Sequence, residues 1–204
     1  LERLLQAVAP GLRPDLRLLL AFAPAVVLAH AAKARPARHA LALVALFGAG
    51  LLADGSYGEV LHRERSFFGV VRVAQDATHR YLLHGQTIHG VQALDPVMAR
   101  EPLAYYHRRA PGADVVRAWR AGPTPRRVAA VGLGAGALAA HSLPDEAWVF
   151  YEIDPAVVRV AQDPRSFTYL RDAPGKVSIE LGDARRRIAE APEGNYGLLL
   201  LDAF

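Results

Sequence analysis

"RRVAAVGLGAGALAAHS", Arg126 to Ser142, decides the fold. A short run of valine and alanine, Val128 to Val131, leads into Gly132-x-Gly134-x-Gly136 and then into an alanine-rich stretch of helical composition. A strand, a glycine turn and a helix in that order bring backbone N–H groups and a helix dipole to a strand end, where nucleotides are received. Glycines lack Cβ atoms, so a ligand can approach the main chain closely there. Twenty residues beyond Gly132, the next apolar run, "AWVFYEI", ends on Glu152. A carboxylate at that place can accept both hydroxyls of a ribose.

Downstream the alternation continues through "PAVVRVAQ", "VSIEL", "ARRRIAEA" and "LLLLD". Strands alternating with helices predict parallel strands joined by crossover helices, hence an α/β, Rossmann-like, doubly wound sheet. Two further acids stand at strand ends. Asp183 in "LGDAR" either caps the following helix or accepts a hydrogen bond from an adenine amino group. Asp202 follows four leucines and gains nothing from an apolar strand, which favours a ligand-facing role at the strand's C-terminal end.

Upstream, "SFFGVVRVAQDATHRYLLHGQTIHG" (Ser66 to Gly90) alternates β-formers with turn residues and predicts a small antiparallel β unit. "PLAYYHRRA" and "ADVVRAWRAG" read as short helices, the second closing at Gly122 before the linker "GPTPRR". The first part of the chain differs in composition. Leu18 to Ala32 and Ala40 to Ala53 are apolar, separated by the basic connector "KARPARH". Each is nearer 15 residues than the roughly 20 that span a bilayer, and the pair reads as a membrane region over 18–53 or as core helices. The expected organisation is therefore an apolar helical segment (1–54), a small β-rich and helical part (55–122) and a nucleotide-binding α/β domain (123–204). The start at Leu1 and the stop at Phe204, right after the fourth strand, suggest a segment of a longer protein whose sheet is incomplete at its C-terminus.

Composition excludes several chemistries. With no cysteine there are no disulfides, thiolate metal sites or cysteine nucleophiles. The net charge of +4 comes almost wholly from arginine, with lysine only at 33 and 176, and no dense basic run is interleaved with aromatics, so nucleic acid is not an expected partner. His84 and His89 have no partner acid nearby in sequence and predict no metal site.

Taken together, "VGLGAG", "YEIDPAVVRVAQ", "LGDAR" and "YGLLLLDAF" resemble the strand-end motifs of the spermidine synthase family, polyamine aminopropyltransferases with the class I S-adenosylmethionine-dependent methyltransferase fold. The apolar N-terminus followed by "RSFFGVVRV" and "LLHGQTIHGVQ" is similar to a subgroup fused to membrane helices. The resemblance implies transfer of an aminopropyl group from decarboxylated S-adenosylmethionine to a small-molecule amine acceptor, without a metal. It also implies roles. Gly132, Gly134 and Gly136 lie under the adenosine and its sulfonium chain, Glu152 holds the ribose, Asp183 touches the adenine, and Asp202 orients or deprotonates the amine. His84, Gln92, Tyr106 and His107 fall on the acceptor side. Two departures stand out: His84 precedes Gly85 where the family has an acid, and Tyr106-His107-Arg108 replaces a Tyr-His-Glu triplet. Arg108 beside a dicationic substrate would repel it, which predicts poor use of putrescine.

Two alternatives accompany this reading: a methyltransferase using S-adenosylmethionine itself, and a non-catalytic nucleotide-binding domain of a membrane protein. A nicotinamide-linked dehydrogenase would fit the glycine turn and Glu152 but gives no role to Asp183 or Asp202. The basic connector favours a cytoplasmic loop, while the nucleotide substrate favours a membrane-associated protein with a cytoplasmic catalytic domain. Homo-oligomerisation is left open.

Overall fold

Alternate residues on adjacent parallel strands face opposite ways, and here both faces are covered. The computed structural model describes residues 14–52, 57–85, 87–123 and 126–203. Strands β5 (Arg127–Val131), β6 (Ala147–Glu152), β7 (Lys176–Leu181) and β8 (Leu198–Leu201) form one parallel sheet in the order β7-β6-β5-β8. Val128, Ala130, Trp148 and Phe150 join a core with Ala156, Val157 and Val160 of helix α4 (Pro155–Gln162). Ala129, Val149 and Tyr151 face the other way, toward Ala184 and Ile188 of helix α5 (Ala184–Ala189). Period-two alternation on strands buried on both sides is what a doubly covered sheet demands. The crossover helices thus meet the sequence expectation on both faces.

The first crossover differs from expectation. In place of a regular helix after the glycines there is a buried 3₁₀ turn, Ala137–His141. Pro144 restrains Leu143 from helical geometry, so the short segment between Gly136 and Leu143 closes with tighter turns. "AYY", Ala104–Tyr106, is likewise a 3₁₀ turn, and helix α3 runs over Pro111–Arg120.

Before this sheet lies a four-stranded antiparallel meander: β1 (Glu59–Arg65), β2 (Val70–Gln75), β3 (His79–His84) and β4 (Thr87–Ala93), paired in chain order. The β unit read from the sequence covers β2 to β4. Strand β1, "EVLHRER", lacks an apolar alternation because most of it is exposed. Asp76 fixes the β2–β3 turn, accepting from the N–H groups of Thr78 and His79 (both 2.7 Å) and from Tyr81 Oη at 2.7 Å. Those donors hold its carboxyl far below the usual carboxylate range.

Residues 54–204 form one compact unit containing both sheets, and residues 1–53 form another. In the latter, helices α1 (Pro14–Ala31) and α2 (Pro36–Leu52) pack on each other, and His39 Nδ1 lies 2.8 Å from the Ala29 carbonyl oxygen. The expected membrane region over 18–53 is not met: among the described residues no helix is long and apolar enough to cross a membrane. Pro24 lies inside α1 and His30 in its last turn, Arg38 and His39 lie near the start of α2, and the apolar stretch in each falls short of the roughly 20 residues a bilayer requires.

A buried ion pair ties α3 to the sheet. The Arg120 guanidinium donates to both carboxylate oxygens of Glu146 at 2.6 and 2.8 Å and to the His141 carbonyl at 2.6 Å. Leu143 N–H (3.0 Å) and Trp148 Nε1–H (3.1 Å) complete the shell of Glu146, which is 1% exposed. Burial pushes this carboxyl up, but the Arg120, Trp148 and Leu143 bonds outweigh it and leave it below its ordinary value. Its contribution to stability is therefore present above the unfolded-state carboxyl pKa and is lost as pH falls through the depressed folded value. We predict that Glu146→Gln costs about 3 kcal/mol in urea unfolding at neutral pH, because it leaves Arg120 partly buried without its counter-charge. A loss below about 1 kcal/mol would show the pair to be dispensable.

Candidate active site

The glycine loop is shaped first by the protein around it. Gly132 (φ +94°) sits so close to the end of β8 that a Cβ on it would lie 2.3 Å from the Asp202 carbonyl oxygen. Gly134 (φ +53°) approaches β4, where a Cβ would lie 2.6 Å from the His89 carbonyl oxygen. Positive φ and backbone contact together exclude a side chain at either position. The sequence reading attributes the bare glycines to a ligand; the structure shows that they first let β5, β8 and β4 converge. That convergence brings Asp202 and His89 to one cavity.

The cavity, of about 220 Å³, lies where the meander meets the C-terminal ends of the parallel strands. The sheet supplies Gly132, Gly134, Glu152, Asp154 and Asp202, with Ile153 and Val157 as apolar surface. The meander and its β1–β2 turn supply Phe68, Val71, Leu82, His84 and His89, and Tyr106 comes from the 3₁₀ turn. Each carboxylate is anchored differently. Glu152 accepts from Leu133 N–H (3.0 Å) and Asp154 N–H (2.9 Å), one on each oxygen. An ionised carboxylate offers about four acceptor positions, and these two bonds fill one on each oxygen. Asp154 caps α4 through Ala156 N–H (2.8 Å) and accepts from Ser66 Oγ (2.6 Å), pinning the β1–β2 turn to the sheet.

Asp202 is the chemically distinctive acid. Tyr106 Oη donates to its Oδ2, and Tyr105 Oη lies 2.9 Å from Tyr106 Oη, so a chain of hydroxyls leads from the carboxylate toward the half-exposed Tyr105. Burial pushes the Asp202 carboxyl up, opposed by the Tyr106 bond and by His89. Burial and the contact with Asp202 push the Tyr106 phenol far above its ordinary value, so it remains a donor. The imidazoles of His84 and His89 stand 5.8 Å apart, edge to face. His89 is pushed below its ordinary value by burial and by His84, against the opposing pull of Asp202 and Glu152.

Of the residues singled out from sequence, Gly132, Gly134, Glu152, Asp202, His84 and Tyr106 therefore share one cavity. Five others do not line it. Gly136 starts the 3₁₀ turn against Leu170. Asp183 caps α5 through Arg185 N–H (2.9 Å) and Arg186 N–H (3.4 Å). Gln92 is 4% exposed, with its amide committed to Thr168 and the Ala99 carbonyl. His107 accepts from Arg109 N–H at 3.1 Å and faces Glu101. Arg108 pairs with Glu101 at 2.9 Å and donates to the Ala140 carbonyl. Sequence reasoning missed the site roles of Asp154, Ile153 and Phe68. Only Asp154, next to the helix-opening Pro155, carried a local signal, that of an N-cap.

No family model matches the chain, and no curated protein matches it. Among solved structures, a probable spermidine synthase from Corynebacterium glutamicum is similar at 15% identity and a TM-score of 0.55, over 72% of this chain and 52% of that one. The likeness shows a Rossmann-like α/β fold. This chain spans about half the length of that synthase.

Two outcomes check the site's geometry. Tyr106→Phe removes a bond that stabilises the ionised form of Asp202, so the carboxyl should titrate at higher pH than in the unmodified protein when its ¹³C resonance is followed by NMR; a shift to lower pH would contradict this. Gly134→Ala should cost about 1–3 kcal/mol in chemical unfolding, the range for backbone strain, whether or not nucleotide is present.

Proposed function

We propose that this chain carries the nucleotide-binding part of a transferase that moves a carbon group from the sulfonium of an S-adenosyl nucleotide to an amine, as in aminopropyl transfer from decarboxylated S-adenosylmethionine. The observation that carries it is the placement of a half-buried, phenol-bonded Asp202 in the same cavity as Glu152 and the bare glycine loop. Glu152 would hold the ribose hydroxyls, Ile153 and Val157 would face the base, and Gly132 and Gly134 leave room beneath the sulfonium chain. Asp183, which caps α5, follows β7, the strand paired with β6, and contact with adenine is part of the proposal. The nucleotide, when bound, supplies an activated carbon and a neutral thioether leaving group. The reading places the domain in the cytoplasm, where such nucleotides are made.

The chain's own contribution is alignment and proton acceptance. An aliphatic amine with a pKa near lysine's, about 10.4, is almost wholly protonated at neutral pH and has no lone pair to offer. Asp202 would bind the ammonium and take its proton as the amine nitrogen bonds to carbon and the carbon–sulfur bond breaks, the electron pair remaining on sulfur. Burial favours this: a carboxylate pushed up from its ordinary value is a stronger base. Holding nucleophile and carbon in line then supplies the rest of the acceleration.

The methyltransferase alternative uses the same residues with S-adenosylmethionine itself. Calorimetric titration of the full-length protein with each nucleotide, followed by product analysis with amines, separates the two. Asp202→Asn should lower the transfer rate by about 10²-fold or more, the size of a general-base contribution, with nucleotide affinity retained. Glu152→Ala should instead weaken the binding of both nucleotides. Activity of the unmodified protein should fall as pH drops through the raised Asp202 value, above the ordinary carboxylate range of about 3.9. Unimpaired turnover in Asp202→Asn would remove this residue from the mechanism.

A further inference from the structure

Each cycle of the proposed transfer leaves a proton that has to reach bulk water. The ammonium acceptor loses one proton, its nitrogen bonds to the transferred carbon, and the carbon–sulfur bond breaks with its electron pair on sulfur. The proton stays on Asp202 and must leave before the next cycle. Once nucleotide and amine fill the cavity, its water is displaced. His89, on which Asp202 acts, lines the same cavity, so a proton passed to it is still inside.

The wall of the cavity offers another route. Tyr106 lines it and is 8% exposed, whereas Tyr105 does not line it and is 47% exposed. Tyr106 Oη donates to Asp202 Oδ2, and Tyr105 Oη lies 2.9 Å from Tyr106 Oη. Hydrogen-bonded oxygens thus run from the carboxylate, through the wall, to a half-exposed side chain. A phenol carries one hydrogen. Tyr106 gives its own to Asp202, so Tyr105 donates to Tyr106, and both hydroxyls point inward.

Neighbouring residues on a regular element do not meet in this way. Consecutive side chains diverge around a helix and lie on opposite faces of a strand. Here the ring centroids of Tyr105 and Tyr106 stand 4.1 Å apart. Immediately before them is Ala104, whose φ of +55° is the one positive value at a non-glycine position among the described residues. A Cβ makes that conformation unfavourable, and strain of this kind collects where a geometry is used. Buried His141 holds the turn from behind, its Nε2 lying 2.7 Å from the Tyr106 carbonyl oxygen.

We propose that Tyr106 and Tyr105 form a relay that carries the proton from Asp202 out of the filled cavity, with Tyr105 as its exit. This inference rests on the transferase reading. When Asp202 is protonated, the hydroxyls turn outward. The carboxyl proton then passes to Tyr106 Oη as the Tyr106 proton passes to Tyr105 Oη and the Tyr105 proton passes to water. Each phenol gains one proton and loses one, so neither ionises. A relay of this kind tolerates the high pKa of the Tyr106 phenol. It leaves Asp202 as a carboxylate and both hydroxyls pointing inward, the order that the structure holds. Tyr105 is a positioning residue: it acts through Tyr106.

Tyr105→Phe removes the exit hydroxyl and keeps the ring. In the full-length protein, with an amine and whichever S-adenosyl nucleotide it uses, kcat should fall about tenfold, less than the 10²-fold or more expected on losing the base itself. The first turnover, followed by rapid quench, should slow no more than about twofold, because Asp202 can still take one proton. Added imidazole buffer should restore kcat in the variant and leave that of the unmodified protein unchanged. Tyr105→Leu carries the same expectations should thermal unfolding show that Tyr105→Phe does not fold. An undiminished kcat in the folded variant overturns the relay. So does a first turnover slowed as much as kcat, or a loss that buffer does not repair, since either marks a purely structural role. Absence of transfer from either S-adenosyl nucleotide to any amine in the unmodified protein overturns the transferase reading and the relay with it.

Discussion

The absence of a side chain at Gly132 and Gly134 is the constraint on which the site depends. Each glycine holds a left-handed backbone and lies within touching distance of another strand's carbonyl, Asp202 for the first and His89 for the second. Asp202 N–H also bonds the Val131 carbonyl at 2.9 Å, continuing the β5–β8 pairing one residue past the strand. The loop therefore acts as a junction that fixes the separation of β4, β5 and β8. A Cβ would push these strands apart and open the cavity whether or not it met a ligand.

Around that junction, the sheet's carboxylates are graded by what already satisfies them. Asp154 is engaged in structure and 2% exposed. Glu152 is anchored by one backbone N–H on each oxygen and lines the cavity. Asp202 is bonded by the Tyr106 phenol and half-buried, and burial pushes its carboxyl up. This gradient follows from position. Glu152 meets backbone N–H groups of the glycine loop and of the turn that opens α4, whereas Asp202 meets the phenol of Tyr106.

The alternation of strand and helix from Val128 onward, the crossover α4 and the acids at strand ends are legible in the chain, because burial on two faces imposes apolar strands and helix starts are marked by Asp154-Pro155 and Asp183. The 3₁₀ turn after the glycines is less so: alanine favours helix, and only the downstream proline and the crowded burial of the segment override it. Strand β1 left no apolar pattern, since its exposed residues carry no burial requirement.

The site divides along the same line. By itself the sequence determined that a glycine turn and acids would sit at the C-terminal ends of parallel strands, since that follows from local periodicity and the order of elements. Tertiary structure decided which of the marked residues meet. Tyr106 reaches Asp202 across 96 positions of chain. Its neighbours His107 and Arg108 turn away to Glu101. Gln92, polar and near a turn, becomes a buried strut to Thr168 across 76 positions. Spacing along a chain records which residues share a face of one element, whereas contact between a meander and a distant strand end depends on how two sheets pack.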